Sequence, residues 1–507
     1  SDTIQATNPI PSGLITYAAE VVDVTTSTVD STIHVDSTNA NTDYAIHGSD
    51  GDDTFVFGGS ARNVGDIQGD VSVFGGLGTD RIEYDDDSNT VASSYTVSSS
   101  NISRTGTATV DPSSIEQIVV NAGDGSDTVT AFDTLASATT TMNGHGGNDT
   151  INVATGSWSI GIQGPITVNG GTGTDSLLIN DSSDTGLDNY TVTSTRTTKT
   201  GGGGSVDYGT IENYTLDANT DANTITVNST FDGDVRIDGN GGDDTIDVVG
   251  NFLNRFVHVD GGAGLDNVLV NSDATDLAAV DFDTTQDLQG LRVFDGGTAR
   301  INAGGNKVLS TRALEILGSG VLDMTDEDMI IDYTGATPLA TIRGYIASGY
   351  AGRAWNGIGI NSSTAAADAS HKTALGYGES VNVVGPGGGV FSGISVDNTA
   401  VLVKYTYYGD SDLDGDADGV DIGRWASNFT GELGGTGTLR WGQGDWDYDG
   451  DVDGVDSGLW AQAFTGELGG GGLGVIGGTA PTPIKLPDMP FSRTRISPEQ
   501  VSVDVLT

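Results

Sequence analysis

The sequence predicts an all-β protein: a right-handed parallel β-helix, or solenoid, followed by a small α-helical unit built on two calcium-type loops. Three observations predict it. Runs such as VDVTT, TITVNST and RINAGG are rich in Thr, Val and Ile, and 77 glycines punctuate the chain, the composition of short strands joined by tight turns. A glycine-aspartate corner recurs seven times before residue 270. Further on, an acidic stretch at 409 to 429, GDSDLDGDADGVDIGRWASNF, returns at 444 to 464 as GDWDYDGDVDGVDSGLWAQAF.

The corners are GSDGDDTFV (48), GGLGTDRIE (75), AGDGSDTVT (122), GHGGNDTIN (144), GGTGTDSLL (170), GNGGDDTID (239) and GGAGLDNVL (261). Each has Asp at its sixth place, namely Asp53, Asp80, Asp127, Asp149, Asp175, Asp244 and Asp266, and an apolar residue at its eighth: Phe55, Ile82, Val129, Ile151, Leu177, Ile246 and Val268. Pairs such as Val71 with Val73 and Val235 with Ile237 place a period-two strand before the corner, so the unit reads strand, glycine corner, strand. The starts lie 27, 47, 22, 26, 69 and 22 residues apart, and read as 1, 2, 1, 1, 3 and 1 turns they give nine turns of about 23.7 residues. That is one coil of a three-sided solenoid, whose apolar face is buried only by stacking on its neighbours.

Organisation follows in order along the chain. Residues 1–45 read as an N-terminal strand or cap segment, 46–321 as the solenoid, and 322–405 as its end or a β-rich adaptor with one helix. The helix is expected at 338 to 350, where Leu339, Ile342 and Ile346 fall at helical spacing. Residues 406–468 hold the paired loops, and 469–507 form a Gly/Pro-rich tail ending in VSVDVLT.

Net charge is -50, from 70 acids against 20 Lys and Arg. Such a surface repels nucleic acid and anionic membrane and points to a cation held among the carboxylates. There is no cysteine, which excludes disulfides and thiolate metal sites and fits a secreted protein folded without them. No apolar run reaches the length of a membrane span. SDTIQATNPIPSG lacks the regions of an export signal, so Ser1 is expected to begin a processed form.

In the first acidic loop, places 1, 3, 5, 9 and 12 are Asp410, Asp412, Asp414, Asp418 and Asp421, with Gly415 at 6 and Asp416 at 7. In the second they are Asp445, Asp447, Asp449, Asp453 and Asp456, with Gly450 and Asp451. This is the ligand spacing of a calcium loop: alternate residues of a tight turn aim oxygens inward, place 7 lends its backbone carbonyl, and place 6 needs glycine to bend. Without a hard divalent cation, five carboxylates this close repel one another. A solvated acidic linker would not hold the glycines in register with the aspartates. After each loop Trp425, Ala426 and Phe429, or Trp460, Ala461 and Phe464, lie at helical spacing, and both copies run on into TGELGG, where glycine is expected to cap the helix.

These residues resemble a type I dockerin, a tandem of loop-helix calcium units in which place 12 is Asp. The resemblance covers about 60 of the 507 residues. It implies Ca2+ as the bound ion and a cohesin-like partner met through places 10 and 11, here Gly419 with Val420 and Gly454 with Val455, in place of the small hydroxyl pairs of scaffold-binding members. The corners are similar to the nonapeptides of RTX proteins, in which the sixth-place Asp and backbone carbonyls bind calcium between stacked turns. In this chain they are dispersed, which argues against a continuous calcium roll. Two readings stay open for them: calcium between successive rungs, as Asp149 over Asp127 or Asp266 over Asp244, or Asp capping its own backbone turn.

No GxSxG, HExxH or P-loop occurs, and His34, His47, His145, His258 and His371 are scattered in sequence. A polysaccharide lyase or hydrolase is the one enzyme class kept open, and among 70 acids no catalytic pair stands out. Trp425 and Trp460 are explained by the core of the calcium unit; Trp158, Trp355, Trp441 and Trp446 are left unassigned. The expectation is an extracellular, calcium-stabilised structural or adhesive surface protein that self-associates into a homo-oligomer, filament or layer. The alternative is a secreted protein that binds or degrades polysaccharide and is anchored by its paired loops.

Overall fold

The computed structural model describes residues 2–7, 13–17, 21–250, 255–274, 277–431 and 437–466; the tail 469–507, with VSVDVLT, lies outside them. The chain is predominantly β and winds a parallel solenoid of about 13 turns. Successive strands alternate between a 20-stranded and a 16-stranded sheet, so each coil has two long sides, not the three expected. The corners are too short to carry a third ladder and make only single parallel bridges, such as Asp50 with Leu77 and Gly146 with Thr172.

Period-two alternation sets which residues face inward. Phe55, Ile82, Val129, Ile151, Leu177, Ile246 and Val268 are all buried. Parallel register stacks like on like from coil to coil, Phe55 on Ile82, Val129 on Ile151 and Ile151 on Leu177. Burial repeats at every rung, so the core is a continuous apolar column.

Two corner spacings, 47 and 69, hold something other than whole extra turns. Ser94–Val97, Ile102–Arg104 and Val110–Ser113 form an antiparallel meander within the 16-stranded sheet. Its outer strands pair in parallel with Thr128–Ala131 on one side and Val71–Phe74 on the other. Asn189–Val192, Arg196–Lys199 and Val206–Gly209 do the same within the 20-stranded sheet. Three strands return the chain in its original direction, so stacking resumes. Each meander also moves the corners to the opposite edge: those at 48 and 75 lead from the smaller sheet to the larger, those at 122, 144 and 170 the reverse, and those at 239 and 261 the first sense again.

The stack closes with antiparallel pairing. Ala400–Tyr407 lies between Asp328–Asp332 and Thr373–Glu379, while Gly359–Asn361 ends the smaller sheet. The helix Leu339–Tyr350 buries Leu339, Ile342 and Ile346, as its spacing predicts. Short helical turns at Ser363–Ala367 and Ser380–Val383 add to the one helix expected in this segment. No helix of the described residues is long and apolar enough to cross a membrane.

The paired loops are welded to this end by aromatic rings. Tyr448, fourth in the second loop, is buried with its ring 4.9 Å from that of Tyr350, 5.8 Å from Trp355 and 5.4 Å from Trp441. Its hydroxyl donates to the Leu375 carbonyl at 2.9 Å, and Trp355 Nε1 donates to Tyr408 at 3.1 Å. Trp355 and Trp441 thus join loop to solenoid, and Trp446 is buried beside them with Nε1 on Ser411 Oγ at 3.2 Å. Removing such a ring costs about 3–5 kcal/mol. Trp441→Ala should therefore destabilise the loops and the segment around Tyr350 and Tyr408 as one unit in calorimetry; a loop transition that moves while the rest stays fixed would contradict the shared core.

Candidate metal centre

Each loop is drawn closed by its twelfth residue. Asp421 Oδ1 accepts from the N–H of Ser411 at 2.8 Å and Oδ2 from that of Asp418 at 2.8 Å. Asp456 takes Trp446 and Asp453 in the same way, at 2.7 and 2.9 Å. Asp418 and Asp453 cap the helices Gly419–Asn428 and Gly454–Ala463, completing a capping box on each. At the sharp bend Gly415 and Gly450 adopt φ of 98° and 93°, where a side chain would be strained.

The closed loops gather their carboxylates. Oxygens of Asp410, Asp412 and Asp421 lie within 4.8 Å of one another, as do those of Asp416, Asp418 and Asp421; the second loop repeats both groups with Asp445, Asp447 and Asp456, and with Asp451, Asp453 and Asp456. Asp414 and Asp449 are not drawn into these groups: their carboxylates accept from the N–H of Asp416 and Asp451, at 3.1 and 3.0 Å. At place 7, expected to lend its carbonyl, a carboxylate also faces the cluster. These buried groups can hold a metal ion.

Burial, reinforced by neighbouring carboxylates, lifts Asp410 to about 8. It lifts Asp421 and Asp456 to about 7, and Asp416, Asp445 and Asp447 to about 6. Two guanidiniums relieve part of this charge: Arg424 meets Asp412 at 3.2 Å, and Arg343, from the solenoid-end helix, meets Asp445 at 3.2 Å and the Tyr448 carbonyl at 3.0 Å. Buried Asp416 Oδ1 and Asp445 Oδ1 have no hydrogen-bond partner among the described residues. An all-oxygen donor set with orphaned carboxylate atoms fits a hard divalent cation.

The two halves brace each other about a pseudo-twofold. Trp425 Nε1 donates to the Asp453 carbonyl at 2.7 Å and Trp460 Nε1 to that of Asp418 at 2.9 Å. Thr430 N–H donates to the Val452 carbonyl at 2.9 Å and Thr465 N–H to that of Ala417 at 3.2 Å. The helices end differently from the expected glycine cap: Phe429 and Phe464 leave in non-helical conformation, and Gly431 and Gly466 follow with positive φ. The rest of TGELGG lies largely outside the described residues.

No protein-family model and no curated protein matches this chain.

At the solenoid corners Asp149 stacks on Asp127 and Asp266 on Asp244, as the spacing predicts, but an N–H joins each pair. Asp53 N–H donates to Asp80 Oδ1 at 2.8 Å, Asp127 to Asp149 at 2.7 Å, Asp149 to Asp175 at 2.8 Å and Asp244 to Asp266 at 2.8 Å. Glu116 and Glu212 continue the ladder from Asp80 and Asp175 at the meanders. Each carboxylate therefore caps the neighbouring coil's backbone, and Asp127 closes its own turn as well, its Oδ2 accepting from the N–H of Gly123 at 3.1 Å. The other oxygen of Asp53, Asp80, Asp149, Asp175, Asp244 and Asp266 is buried with no hydrogen-bond partner among the described residues. Desolvation lifts Asp149 and Asp244 to about 7 and Asp53 and Asp266 to about 6, with Asp80, Asp127 and Asp175 raised as well.

Two polar clusters were not anticipated. Asp86 with Tyr95 and Arg104, and Asp181 with Tyr190 and Lys199, sit under the two meanders at identical 9-residue steps. The signal was present as an internal repeat: YTV at 95 and at 190, 95 residues apart, followed by IE at 115 and 211, 96 apart. His258, scattered in sequence, lies between Asp283 at 2.8 Å and Asp234 at 3.4 Å.

Two predictions follow from these carboxylates. In metal-free protein the raised groups give stability that is fully present below about pH 4 and is lost as pH rises through about 8, because the folded state binds the extra protons. Metal needs the ionised forms, so apparent metal affinity should climb over the same window; isothermal titration showing flat affinity from about pH 5 to 8 would contradict the buried-carboxylate site. Asp149→Ala leaves the buried Asp127 N–H unpaired, a loss of about 1–3 kcal/mol, whereas Asp149→Asn keeps the acceptor and should be near neutral by chemical denaturation. A calcium-dependent loss in Asp149→Asn would mark the corner as a metal ligand instead.

Proposed function

We propose that this chain is an extracellular, calcium-stabilised structural protein, in which a β-solenoid rod is locked at one end by a dockerin-like pair of calcium loops. The observation that carries it is the place of Tyr448: one residue of the second loop is also the hub of the aromatic core joining that loop to the last solenoid strands. Metal that closes the loop thereby tightens the end of the rod. Millimolar calcium outside cells suits extracellular sites, whose Kd is of order 10⁻⁴ to 10⁻³ M.

Assembly has two supports. Val420 and Val455, at place 11 of each loop, are 57% and 55% exposed, an apolar pair open to a second copy or a cohesin-like partner. At the other end Val21–Thr25 pairs with Asp43–His47 and with no further strand of the described residues, leaving an edge of the kind that adds strands. The structural and adhesive reading is favoured over polysaccharide cleavage because the corner acids each commit one oxygen to a backbone N–H and those under the meanders are paired with Arg104 and Lys199.

Calcium at a hundredfold excess over Kd should stabilise the metal-free chain by about 2.7 kcal/mol per site, read as a rise in Tm. Asp421→Asn with Asp456→Asn removes the residue shared by both groups in each loop and should abolish that rise; an unchanged response overturns the assignment. Electron microscopy in millimolar calcium should show filaments or a layer, whereas a monodisperse monomer would defeat the assembly reading.

A further inference from the structure

The buried amine under the second meander sits in an unusual place. Lys199, whose side chain is fully buried, has Nζ 2.6 Å from Asp181 Oδ2 and 2.8 Å from Asp188 Oδ2, in contact with Asp184, and 2.8 Å from Ser159 Oγ. The three carboxylates are 0, 6 and 7% exposed. The first meander supplies an internal control. There Asp86 faces Arg104 at 2.5 Å, and Asn89 and Ser93 stand where the second copy has Asp184 and Asp188. A fold that needed only a buried ion pair is satisfied by that arrangement. The second copy has instead exchanged a guanidinium, which does not act as a nucleophile, for an amine, which does, and has added two carboxylates able to carry protons.

We propose that Lys199 and Asp181 form an intramolecular isopeptide bond. Asp181 is held for attack: the N–H of Trp158 lies 2.5 Å from Oδ1, where negative charge develops in a tetrahedral intermediate, and the Tyr190 hydroxyl lies 2.6 Å from Oδ2, the departing oxygen. The Lys199 ammonium gives a proton to Asp184 or Asp188, and the freed lone pair forms the N–C bond to Asp181 Cγ. Two of the three ammonium protons pass through those carboxylates to Oδ2, which leaves as water; the third stays on the amide nitrogen. One positive and one negative charge disappear, and no oxidant, reductant or co-reactant is used. Asp184 is kept in position by the N–H of Thr185 at 2.9 Å, and Asp188 by Asn219 Nδ2 at 2.7 Å. Burial favours the neutral carboxyl of Asp181 while the three acids favour the charged amine, so the reaction runs from the minor tautomer, made frequent enough by permanent contact. The product ties the segment before the meander to the end of its second strand, across the place where the larger sheet abandons parallel pairing.

Intact mass of the denatured, purified full chain tests this directly. The expected value is one water below the sequence mass, with protease digestion yielding a branched peptide that joins Asp181 to Lys199 and no cleavage after Lys199. Lys199→Arg should restore the full mass and lower Tm. A folded wild-type chain at full mass overturns the proposal, as does a lost water with the two peptides separate, which marks a succinimide elsewhere. Should Lys199→Arg fail to fold, the wild-type spectrum decides alone.

Discussion

A carboxylate taken out of water needs an N–H donor, a cation or a proton, and satisfying that need at many places organises this molecule. With 70 acids and 20 Lys and Arg, side-chain ion pairs cannot serve most of them. The corners use backbone: each Asp accepts from the preceding coil's N–H, so the sheet edge is held by a ladder of charge-assisted hydrogen bonds running along the stack. The meanders use Arg104 and Lys199. In the paired loops, where carboxylates crowd three at a time and burial raises their pKa values, Arg343 and Arg424 are the basic side chains among the described residues that meet the clustered acids, and a divalent ion fits there.

Much of this was legible in sequence where one residue type has one physical use. Gly415 and Gly450 must take positive φ beside an aspartate loop, and the apolar eighth place of each corner must face the core, so both repeats announced themselves. The meanders did not. Strands such as Ser94–Val97 and Asn189–Val192 alternate with the same period whether their neighbours run parallel or antiparallel, and the 47- and 69-residue spacings were absorbed as whole turns. Two sides versus three was hidden for a similar reason: a corner with one bridge and a short third strand have nearly the same composition. The role of Tyr448 was invisible because its partners Tyr350, Trp355 and Leu375 are 70 or more residues away.

The solenoid edge illustrates why stacking order matters energetically. Within a run of corners each Asp is both acceptor for one coil and, through its N–H, donor to the next, so a lost carboxylate exposes a backbone donor one rung away. At a meander the run must end, and Glu116 and Glu212 end it with the longer side chain needed to reach Asp80 and Asp175 at 2.8 and 2.7 Å. The switch of edge that follows divides the corners into three separate ladders, which confines a defect in one corner to its own run.

The pseudo-twofold of the loops is broken in a way that ties them to the rod. Arg424 belongs to the helix that follows the first loop and meets that loop's own Asp412, so its attraction is internal. Arg343 comes from the solenoid-end helix and meets Asp445, the first residue of the second loop, where an ion would also draw on that carboxylate. An ion at the second loop therefore competes with Arg343 for Asp445, but not for the Tyr448 carbonyl that the same guanidinium also holds. Filling that loop would shift the joint from an ion pair toward the carbonyl contact and the ring cluster around Tyr448, contacts that salt does not screen. With that loop filled, the junction would depend least on surface charge.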